Sequence, residues 1–175
     1  MELNKYEVID NFLDKDYYNN LKTFLYGTNV NWFIREQDTE NSKNKNGYFS
    51  FCWYNDWRIN HPLFYEHTEF MLKKLNCFIP IQVRANLTFR DVDTNESGWH
   101  TDYNISASTT AILYFTKSNA KTVLNINNKP IEIHNIENRL LKFNTTTKHK
   151  IVYQTDVHKR IVMNLNYIEQ ENGNN

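Results

Sequence analysis

A series of short apolar and β-branched segments fills the second half of the chain and constrains its fold more than any other feature. The segments recur about every ten residues, are separated by polar turns and have no helical period. They are residues 81–89, 109–115, 122–126, 130–134, 139–143, 150–153 and 160–168. This spacing is typical of a β-sandwich or a closed barrel, so the sequence predicts a mainly β core.

The last of these segments alternates between two kinds of side chain. Its apolar side consists of Ile161, Met163, Leu165 and Tyr167, and its other side consists of Arg160, Val162, Asn164 and Asn166. Successive side chains of a strand point to opposite faces of the sheet. Lys and Glu are the usual residues of a face in water, whereas one Arg and two Asn are typical of a polar cavity. We therefore expect the apolar side to pack against N-terminal helices and the polar side to line a cavity.

The N-terminal part of the chain begins with a predicted strand and an amphipathic helix. Residues 7–13 are predicted as a short strand that runs into a turn, and residues 31–34 as a second strand. Asp14 is a suitable N-cap for a helix over residues 15–26, and Gly27 is a suitable terminator. This pattern favours a helix whose apolar stripe lies on the core.

A second helix is predicted between the aromatic segment that follows and the β-rich half. Asn60 is its expected cap, Pro62 lies in its first turn and Pro80 ends it. His67 lies on the apolar face of this helix. We predict that His67 is a packed or hydrogen-bonded histidine and not a metal ligand.

Two neighbouring segments differ sharply in polarity. Residues 37–47 are polar and without period, which predicts a long loop that is either disordered or a lid over a site. Residues 48–57 are densely aromatic, and packing in the core is the first interpretation of this run. The alternative is that Trp53, Tyr54 or Trp57 lines a substrate cleft.

The length of the chain indicates a single domain. With 175 residues the protein can bury a full hydrophobic core without disulfides or metals as staples. We predict one domain over residues 1–175, with N-terminal strands and supporting helices in 1–80, the β-rich core in 81–168 and a flexible tail in 169–175.

Charge, cysteine content and hydropathy narrow the class of protein. Twenty basic and twenty acidic residues give a net charge of zero, so we expect neither a membrane partner nor a strong nucleic-acid interaction. Cys52 and Cys77 lack metal-site spacing and are expected to be reduced thiols. The sequence has no recognisable signal peptide and no apolar stretch of about eighteen residues, which predicts a soluble cytoplasmic protein.

The tripeptide His100-Thr101-Asp102 is the first candidate for a metal site. In an extended segment, residues i and i+2 project to the same side, so an imidazole and a carboxylate can reach one ion. Of the three histidines that follow, His149 stands at a predicted strand edge, whereas His134 and His158 are expected to be exposed. Two His and one carboxylate with open positions suit non-haem Fe(II). Zn²⁺ accepts the same ligands, so the ligand set alone does not name the metal.

Arg160 adds a binding function to this candidate site. It begins the last strand on its polar side, eleven residues after His149. A planar guanidinium there can bind a carboxylate through two parallel hydrogen bonds, which Lys cannot imitate. A surface salt bridge is the alternative explanation for this residue.

The order of these four residues resembles that of the Fe(II)- and 2-oxoglutarate-dependent oxygenases. The runs TTAILYFTKSNAKTVLN and ENRLLKFNTTTKHKIVYQTDVHKRIVMNLNY are similar to the prolyl-4-hydroxylase-like branch, which includes small oxygenases of bacteria and phages. The resemblance covers residues 81–168 well and the N-terminal part loosely. It implies a double-stranded β-helix, a jelly-roll of the cupin type, with N-terminal helices packed on one sheet.

The resemblance also implies roles for individual residues. His100, Asp102 and His149 would bind the iron, and Arg160 would bind the distal carboxylate of 2-oxoglutarate. Tyr114 matches the position of a Tyr hydroxyl on that carboxylate. Further contacts to the cosubstrate are expected from Asn86 and Asn164. Val162 stands where some relatives have Ser or Thr, so that variant of the motif does not apply.

The implied activity couples oxidative decarboxylation of 2-oxoglutarate by O₂ to hydroxylation of a substrate, with ascorbate as a supporting reductant. A prolyl or other peptide residue is the first candidate substrate, and a nucleobase, a nucleotide or a small metabolite is the alternative. A cupin-like module that binds metal or ligand without turnover is the alternative from another class of protein. Weak candidates for substrate contacts are Trp53, Arg90, Trp99 and Tyr103.

Overall fold

The computed structural model describes residues 5–36, 47–90 and 95–170, and these form two antiparallel β-sheets and two helices. The larger, eight-stranded sheet consists of β1 (Tyr6–Ile9), β2 (Phe33–Arg35), β3 (Tyr48–Asn55), β4 (Arg58–Ile59), β5 (Cys77–Phe89), β6 (Ser108–Tyr114), β9 (Leu140–Asn144) and β11 (Lys159–Glu169). The smaller, three-stranded sheet consists of β7 (Lys121–Ile126), β8 (Lys129–His134) and β10 (His149–Val152). The helices are α1 (Lys15–Tyr26) and α2 (Phe64–Lys74).

The large sheet has the order β1-β9-β6-β11-β5-β3-β2, with β4 attached to β3, and the small sheet has the order β10-β7-β8. Strands that are distant in sequence are therefore neighbours, and β11 lies between β5 and β6 at the centre of the large sheet. The mainly β jelly-roll class predicted from the spacing and the resemblance is confirmed. Among the described residues, no helix is long and apolar enough to cross a membrane.

Helix α1 has the bounds that the sequence predicts. The Asp14 carboxylate accepts a hydrogen bond from the backbone N–H of Tyr17 at 2.9 Å, which caps the first turn. Gly27 follows the last helical residue, and its N–H donates to the carbonyl of Phe24 at 3.0 Å. The helix therefore begins and ends where its local signals are strongest.

The prediction for the second helix is wrong at both ends. Helix α2 begins at Phe64 without a side-chain cap, because the N–H of Asn60 donates to the Trp53 carbonyl and ties that residue to β3. It ends at Lys74, and Pro80 lies inside β5. Pro80 faces Tyr167 next to a register shift, where the missing N–H of proline disturbs the ladder least.

The main hydrophobic core lies between the helices and one face of the large sheet. The apolar side of β11 consists of Ile161, Met163, Leu165 and Tyr167, and all four are fully buried there. They share this core with Leu21 and Leu25 of α1 and Met71 of α2. The predicted packing of this side of β11 against the N-terminal helices is confirmed.

Trp53 belongs to the same core and does not line a cleft. It is 0% exposed, and its indole Nε1 donates to Nδ1 of His67 at 3.1 Å. The predicted hydrogen-bonded role of His67 is confirmed. The alternative placement of Trp53 at a substrate site is wrong, because the β3 pleat directs its ring towards the helices.

A smaller apolar cluster fills the space between the two sheets. Its members are Ile112, Tyr114, Leu124, Ile133, Leu141, Phe143 and Val162. Ile112 and Val162 belong both to this cluster and to the wall of a neighbouring cavity. The cluster therefore closes one part of the space between the sheets and leaves the polar part open.

Two predictions concern the ends of segments. Glu169 is the last residue of β11 and accepts a hydrogen bond from Thr109 at 2.7 Å, so the tail begins later than residue 169. Residues 171–175 lie outside the described residues, and so do residues 37–46, on which the predicted lid depends.

Candidate functional site

His100 and His149 are brought together by a pair of backbone hydrogen bonds. His149 is the first residue of β10, and His100 forms an isolated antiparallel bridge with it. Each N–H donates to the carbonyl of the other residue, at 3.0 and 2.8 Å. The two imidazole rings consequently lie side by side, with 4.3 Å between their centroids.

Asp102 completes a group of three potential metal ligands. It follows His100 by two residues, and its Oδ1 lies 3.6 Å from Nε2 of His149. One donor atom from each of the three residues lies within 4.8 Å of the donor atoms of the other two. The structure therefore brings together the three ligands that the sequence predicts.

Both imidazoles present the same nitrogen to this group. Nδ1 of His100 lies 3.1 Å from the Gly98 carbonyl, and Nδ1 of His149 lies 3.1 Å from the Thr147 carbonyl. A carbonyl only accepts, so each Nδ1 carries the proton and each Nε2 keeps its lone pair for a cation. Hydrogen bonds of this kind orient histidine ligands in metalloproteins.

The Asp102 carboxylate is oriented in the same manner. Its Oδ2 accepts hydrogen bonds from the Thr110 hydroxyl and the Asn166 amide, both at 2.9 Å. The Asn166 amide also donates to the Thr110 oxygen at 2.9 Å, which joins the three side chains into one network. Oδ1 is the oxygen that remains directed at the histidines.

Electrostatics favour the metal-binding protonation states. Burial alone would raise the pKa of the Asp102 carboxyl, but the facing His149 and the hydrogen bond from Asn166 outweigh it and lower the pKa. Burial lowers the pKa of His149, although Asp102 acts in the opposite direction. An ionised Asp102 and a neutral His149 are the forms that a divalent cation requires.

These ligands lie in a cavity of about 180 Å³ between the two sheets. Its wall comprises the three candidate ligands together with Glu36, Tyr48, Arg84, Asn86, Thr88, Ser97, Ile112, Thr122, Ile151, Tyr153, Arg160, Val162 and Asn164. Polar side chains of β5 and β11 supply most of one wall. The predicted lining of a cavity by the polar side of β11 is thus confirmed.

The cavity-facing residues of β5 and β11 form an ordered series of pairs. Thr88 lies opposite Arg160, Asn86 opposite Val162, and Arg84 opposite Asn164. Asn166, which binds Asp102, is the next residue of β11 on this side. The series therefore runs from Arg160 at one end of the cavity to the ligand group at the other.

Arg160 is a fully buried cation at the end remote from the ligands. It is 1% exposed, and its Nε donates to Oδ1 of Asn135 at 2.7 Å. Burial lowers the pKa of Arg160, but a guanidinium titrates at such high pH that the group remains charged. Because Asn135 holds Nε, the two terminal nitrogens remain able to donate two parallel hydrogen bonds to one carboxylate.

Tyr114, predicted to contact the cosubstrate, is not part of the described cavity wall. Its hydroxyl donates to Oγ1 of Thr122 at 2.8 Å, and its ring lies 5.9 Å from the Arg160 guanidinium carbon. Thr122 stands between this hydroxyl and the cavity. Tyr114 therefore supports Arg160 and Thr122 from behind, because the apolar cluster between the sheets takes up its ring.

Asn86 and Asn164 line the cavity as predicted. The Oδ1 atoms of both residues are buried and have no hydrogen-bond partner among the described residues. A buried amide oxygen without a partner costs free energy, about 1–3 kcal/mol. Both oxygens are therefore available to a ligand.

The weak candidates for substrate contacts are absent from the described wall of the cavity. Trp99 is 42% exposed and lies under the Lys150 ammonium at 4.9 Å. Arg90 is exposed beyond the end of β5, and Tyr103 is half-buried. Trp57 is 68% exposed in a turn, and Tyr54 stacks on the ring of Phe64. Aromatic character alone did not identify wall residues.

Sequence reasoning missed Arg84, Thr122 and Tyr153 in the wall and Asn135 behind it. A signal for Arg84 was present, because the segment QVRANLTF alternates as β11 does and places Arg84 on the same side as Asn86. Asn135 contacts Arg160 across 25 positions of sequence, which no local pattern reveals.

Several solved structures of similar fold are oxygenases. The sequence matches no protein-family model and no curated protein. A Pseudomonas putida prolyl-4-hydroxylase is 11% identical with a TM-score of 0.66, over 94% of this chain and 92% of that one. A Trichoplax adhaerens prolyl hydroxylase in complex with a hypoxia-inducible-factor peptide is 17% identical with a TM-score of 0.66, over 95% and 84% of the two chains.

A 2-oxoglutarate-Fe(II) oxygenase family protein from Burkholderia pseudomallei is 9% identical with a TM-score of 0.71, over 94% of this chain and 85% of that one. These similarities extend over nearly the whole chain and are therefore not limited to the strands around the site. The resemblance predicted from the sequence is confirmed in structure, and the chain has the fold of the 2-oxoglutarate- and Fe(II)-dependent oxygenases.

Proposed function

We propose that this protein is an Fe(II)- and 2-oxoglutarate-dependent dioxygenase that hydroxylates its substrate. One observation supports this most strongly. His100, Asp102 and His149 each use one polar atom in a supporting hydrogen bond and turn the other to a common point. Arg160 lies across the same cavity as a fixed cation.

The ligand set fits the proposed iron. Two imidazoles and one carboxylate leave coordination positions open, which is the arrangement that non-haem Fe(II) oxygenases use. Zn²⁺ accepts the same ligands. The buried guanidinium at the far end of the cavity favours an Fe(II) oxygenase over a Zn²⁺ site. A dicarboxylate cosubstrate needs a second anchor remote from the metal, and this guanidinium can supply it.

The bound iron with 2-oxoglutarate and O₂ supplies the oxidising chemistry, in which the cosubstrate becomes succinate and CO₂ and a C–H bond of the substrate is hydroxylated. The protein positions the reactants. Arg160 binds the distal carboxylate, while the Nδ2 groups of Asn86 and Asn164 can donate to cosubstrate oxygens between the two ends. Ile112 and Val162 exclude water from one side of the cavity. Ascorbate supports such a reaction by keeping the iron reduced.

The substrate is proposed at two levels. A prolyl or other peptide residue is the default, since prolyl hydroxylases share this fold and one of them has a peptide bound. A nucleobase, a nucleotide or a small metabolite is the alternative. Arg84, a second cation in the cavity that the cosubstrate does not need, favours a small acidic metabolite among these.

Succinate formation tests the proposed activity. The wild-type protein with Fe(II), ascorbate and 2-oxoglutarate under air is expected to produce succinate even without a substrate, and His149→Ala is expected to abolish this turnover. His134→Ala is the matched control, because His134 is an exposed residue at the end of β8.

Full turnover in His149→Ala would show that the ligand assignment is wrong. A wild-type protein that binds metal and 2-oxoglutarate but releases no succinate would instead be a cupin-like binding module.

A further inference from the structure

Arg84 is a cation in the cavity wall, and the proposed oxygenase reaction assigns it no role. It lies on β5 opposite Asn164, and its side chain contributes to the cavity wall. Its Nε is buried without a hydrogen-bond partner. Among the described residues the guanidinium forms no close ion pair, although its charge helps to lower the pKa of Asp102 and Glu36 shares its cavity wall. Its guanidinium carbon lies 5.9 Å from the centroid of the Tyr48 ring. The ring covers one face of the guanidinium and leaves the N–H groups at its edge for a ligand.

Arg84 and Arg160 serve different ends of the cavity. Thr88, the partner of Arg160 in the sheet, is four residues from Arg84 on β5, which corresponds to about 13 Å. Asn164, opposite Arg84, is two residues from Asn166, the residue that binds Asp102, which corresponds to about 7 Å. Arg84 is therefore the cation beside the metal ligands.

An anionic ligand would satisfy this group, since Nε is buried and unpaired while the residue as a whole is only half-buried. A buried N–H donor without a partner costs about 1–3 kcal/mol, and more when the group is charged. A metal cation does not help, because it repels a guanidinium and neutralises Asp102. Of the two carboxylates of 2-oxoglutarate, one is placed at the metal and the other at Arg160. Among the described residues no carboxylate is ion-paired with Arg84, although Glu36 shares the cavity wall. An anionic substrate that enters next to the metal can therefore supply the partner.

Two amide oxygens beside Arg84 define the rest of the ligand. Asn164 lies directly across the sheet, and Asn86 is the next residue of β5 on the same side. The Oδ1 atoms of both are buried and unpaired among the described residues, and a carbonyl oxygen accepts only from N–H or O–H. A dianionic phosphate group offers only acceptor oxygens, whereas an α-amino acid offers a carboxylate and an N–H donor on adjacent atoms.

We propose that Arg84 binds the carboxylate of the substrate, and that the substrate is a free α-amino acid whose amino group donates to the amide oxygens of Asn86 or Asn164. The proposal rests on the proposed oxygenase function and narrows its substrate. It disfavours an internal residue of a peptide other than Asp or Glu, because such a residue carries no carboxylate.

Direct binding to the inactive complex tests this inference. The protein is loaded with Zn²⁺ in place of Fe(II) and with saturating 2-oxoglutarate, and the twenty common L-amino acids and their C-terminal amides are titrated by calorimetry. At least one free amino acid is expected to bind, and its amide at least tenfold more weakly. Arg84→Gln is expected to weaken binding of that amino acid about tenfold or more, and Arg84→Lys less, because Lys keeps the charge without the fork.

Two controls separate recognition from folding. The dissociation constant of 2-oxoglutarate is expected to stay within about twofold of the wild-type value in both Arg84 variants, since Arg160 holds the distal carboxylate. Arg58→Gln, a substitution of an exposed arginine on β4, is expected to bind amino acids as the wild type does.

Four outcomes would overturn the inference. No free amino acid binds, or an amino acid and its amide bind equally, or Arg84→Gln binds the amino acid as tightly as the wild type. Binding of a nucleoside monophosphate through Arg84, without binding of any amino acid, would also overturn it. Succinate formation by the wild type without amino-acid binding would remove this inference alone, whereas absence of succinate would remove the proposed function.

Discussion

The two faces of the eleven-residue strand β11 differ in how their side chains interact with their surroundings. The face towards the helices consists of Ile161, Met163, Leu165 and Tyr167, each at most 1% exposed. These side chains contribute area and volume, and their contacts have no required direction. The opposite face consists of Arg160, Val162, Asn164 and Asn166, and its polar members act through individual hydrogen bonds.

The difference separates stability from chemistry within one strand. On the apolar face any hydrophobic side chain of similar volume can fill the space. On the cavity face Arg160 is fixed by Asn135, Asn166 orients Asp102, and Asn164 keeps an unpaired oxygen. Substitutions on the two faces should therefore affect different properties.

Leu165→Ala is expected to give the largest effect on the free energy of unfolding. Leu165 is 0% exposed in the main core, and its truncation leaves a cavity that typically costs about 2–5 kcal/mol. Chemical denaturation measures this loss. The affinity of the folded fraction for metal is expected to be unchanged, because Leu165 faces away from the ligands.

Leu165→Met, which nearly conserves volume, is the control and is expected to cost less than about 1.5 kcal/mol. A loss of metal affinity in Leu165→Ala would mean that the two faces are not independent.

Asn166→Ala is expected to have a smaller effect that falls on metal binding. The substitution removes one of the two hydrogen bonds that orient the Asp102 carboxylate. Loss of such a supporting partner typically reduces metal affinity about 10–100-fold. Calorimetric titration of the metal-free protein with Zn²⁺ measures the change without reference to turnover.

Asn20→Ala, on the exposed side of α1, is the matched control and is expected to bind Zn²⁺ as the wild type does. Unchanged affinity in Asn166→Ala would show that Thr110 alone orients the carboxylate.

Local patterns account for the parts of the fold and site that were predicted correctly. Asp14 and Gly27 define α1 because capping depends on residues within one turn. The alternation of β11 assigned both of its faces because the pleat has a period of two. The spacing of His100 and Asp102 correctly predicted that both reach one point, although His100 forms only an isolated bridge and Asp102 lies in a bend.

Contacts between distant elements account for what the sequence did not reveal. The start of α2 differs from the local signal of Asn60 because the N–H of that residue binds the Trp53 carbonyl. Its end differs from the signal of Pro80 because that residue is paired with β11 in the following strand. The depth of the cavity depends on the separation of the two sheets, so Tyr114 lies behind Thr122.

The most direct test of the proposed site is the anaerobic titration of the Fe(II)-loaded protein with 2-oxoglutarate, followed through the visible absorption of the iron–oxoacid chelate. The wild type is expected to bind one equivalent. Arg160→Gln is expected to raise the dissociation constant about 100-fold, because it removes the charged partner of a buried carboxylate. 2-Oxobutyrate, which lacks the distal carboxylate, is expected to bind the wild type and Arg160→Gln equally. An unchanged dissociation constant for 2-oxoglutarate in Arg160→Gln, or no chelate in the wild type, would contradict a cavity that joins the metal ligands to Arg160.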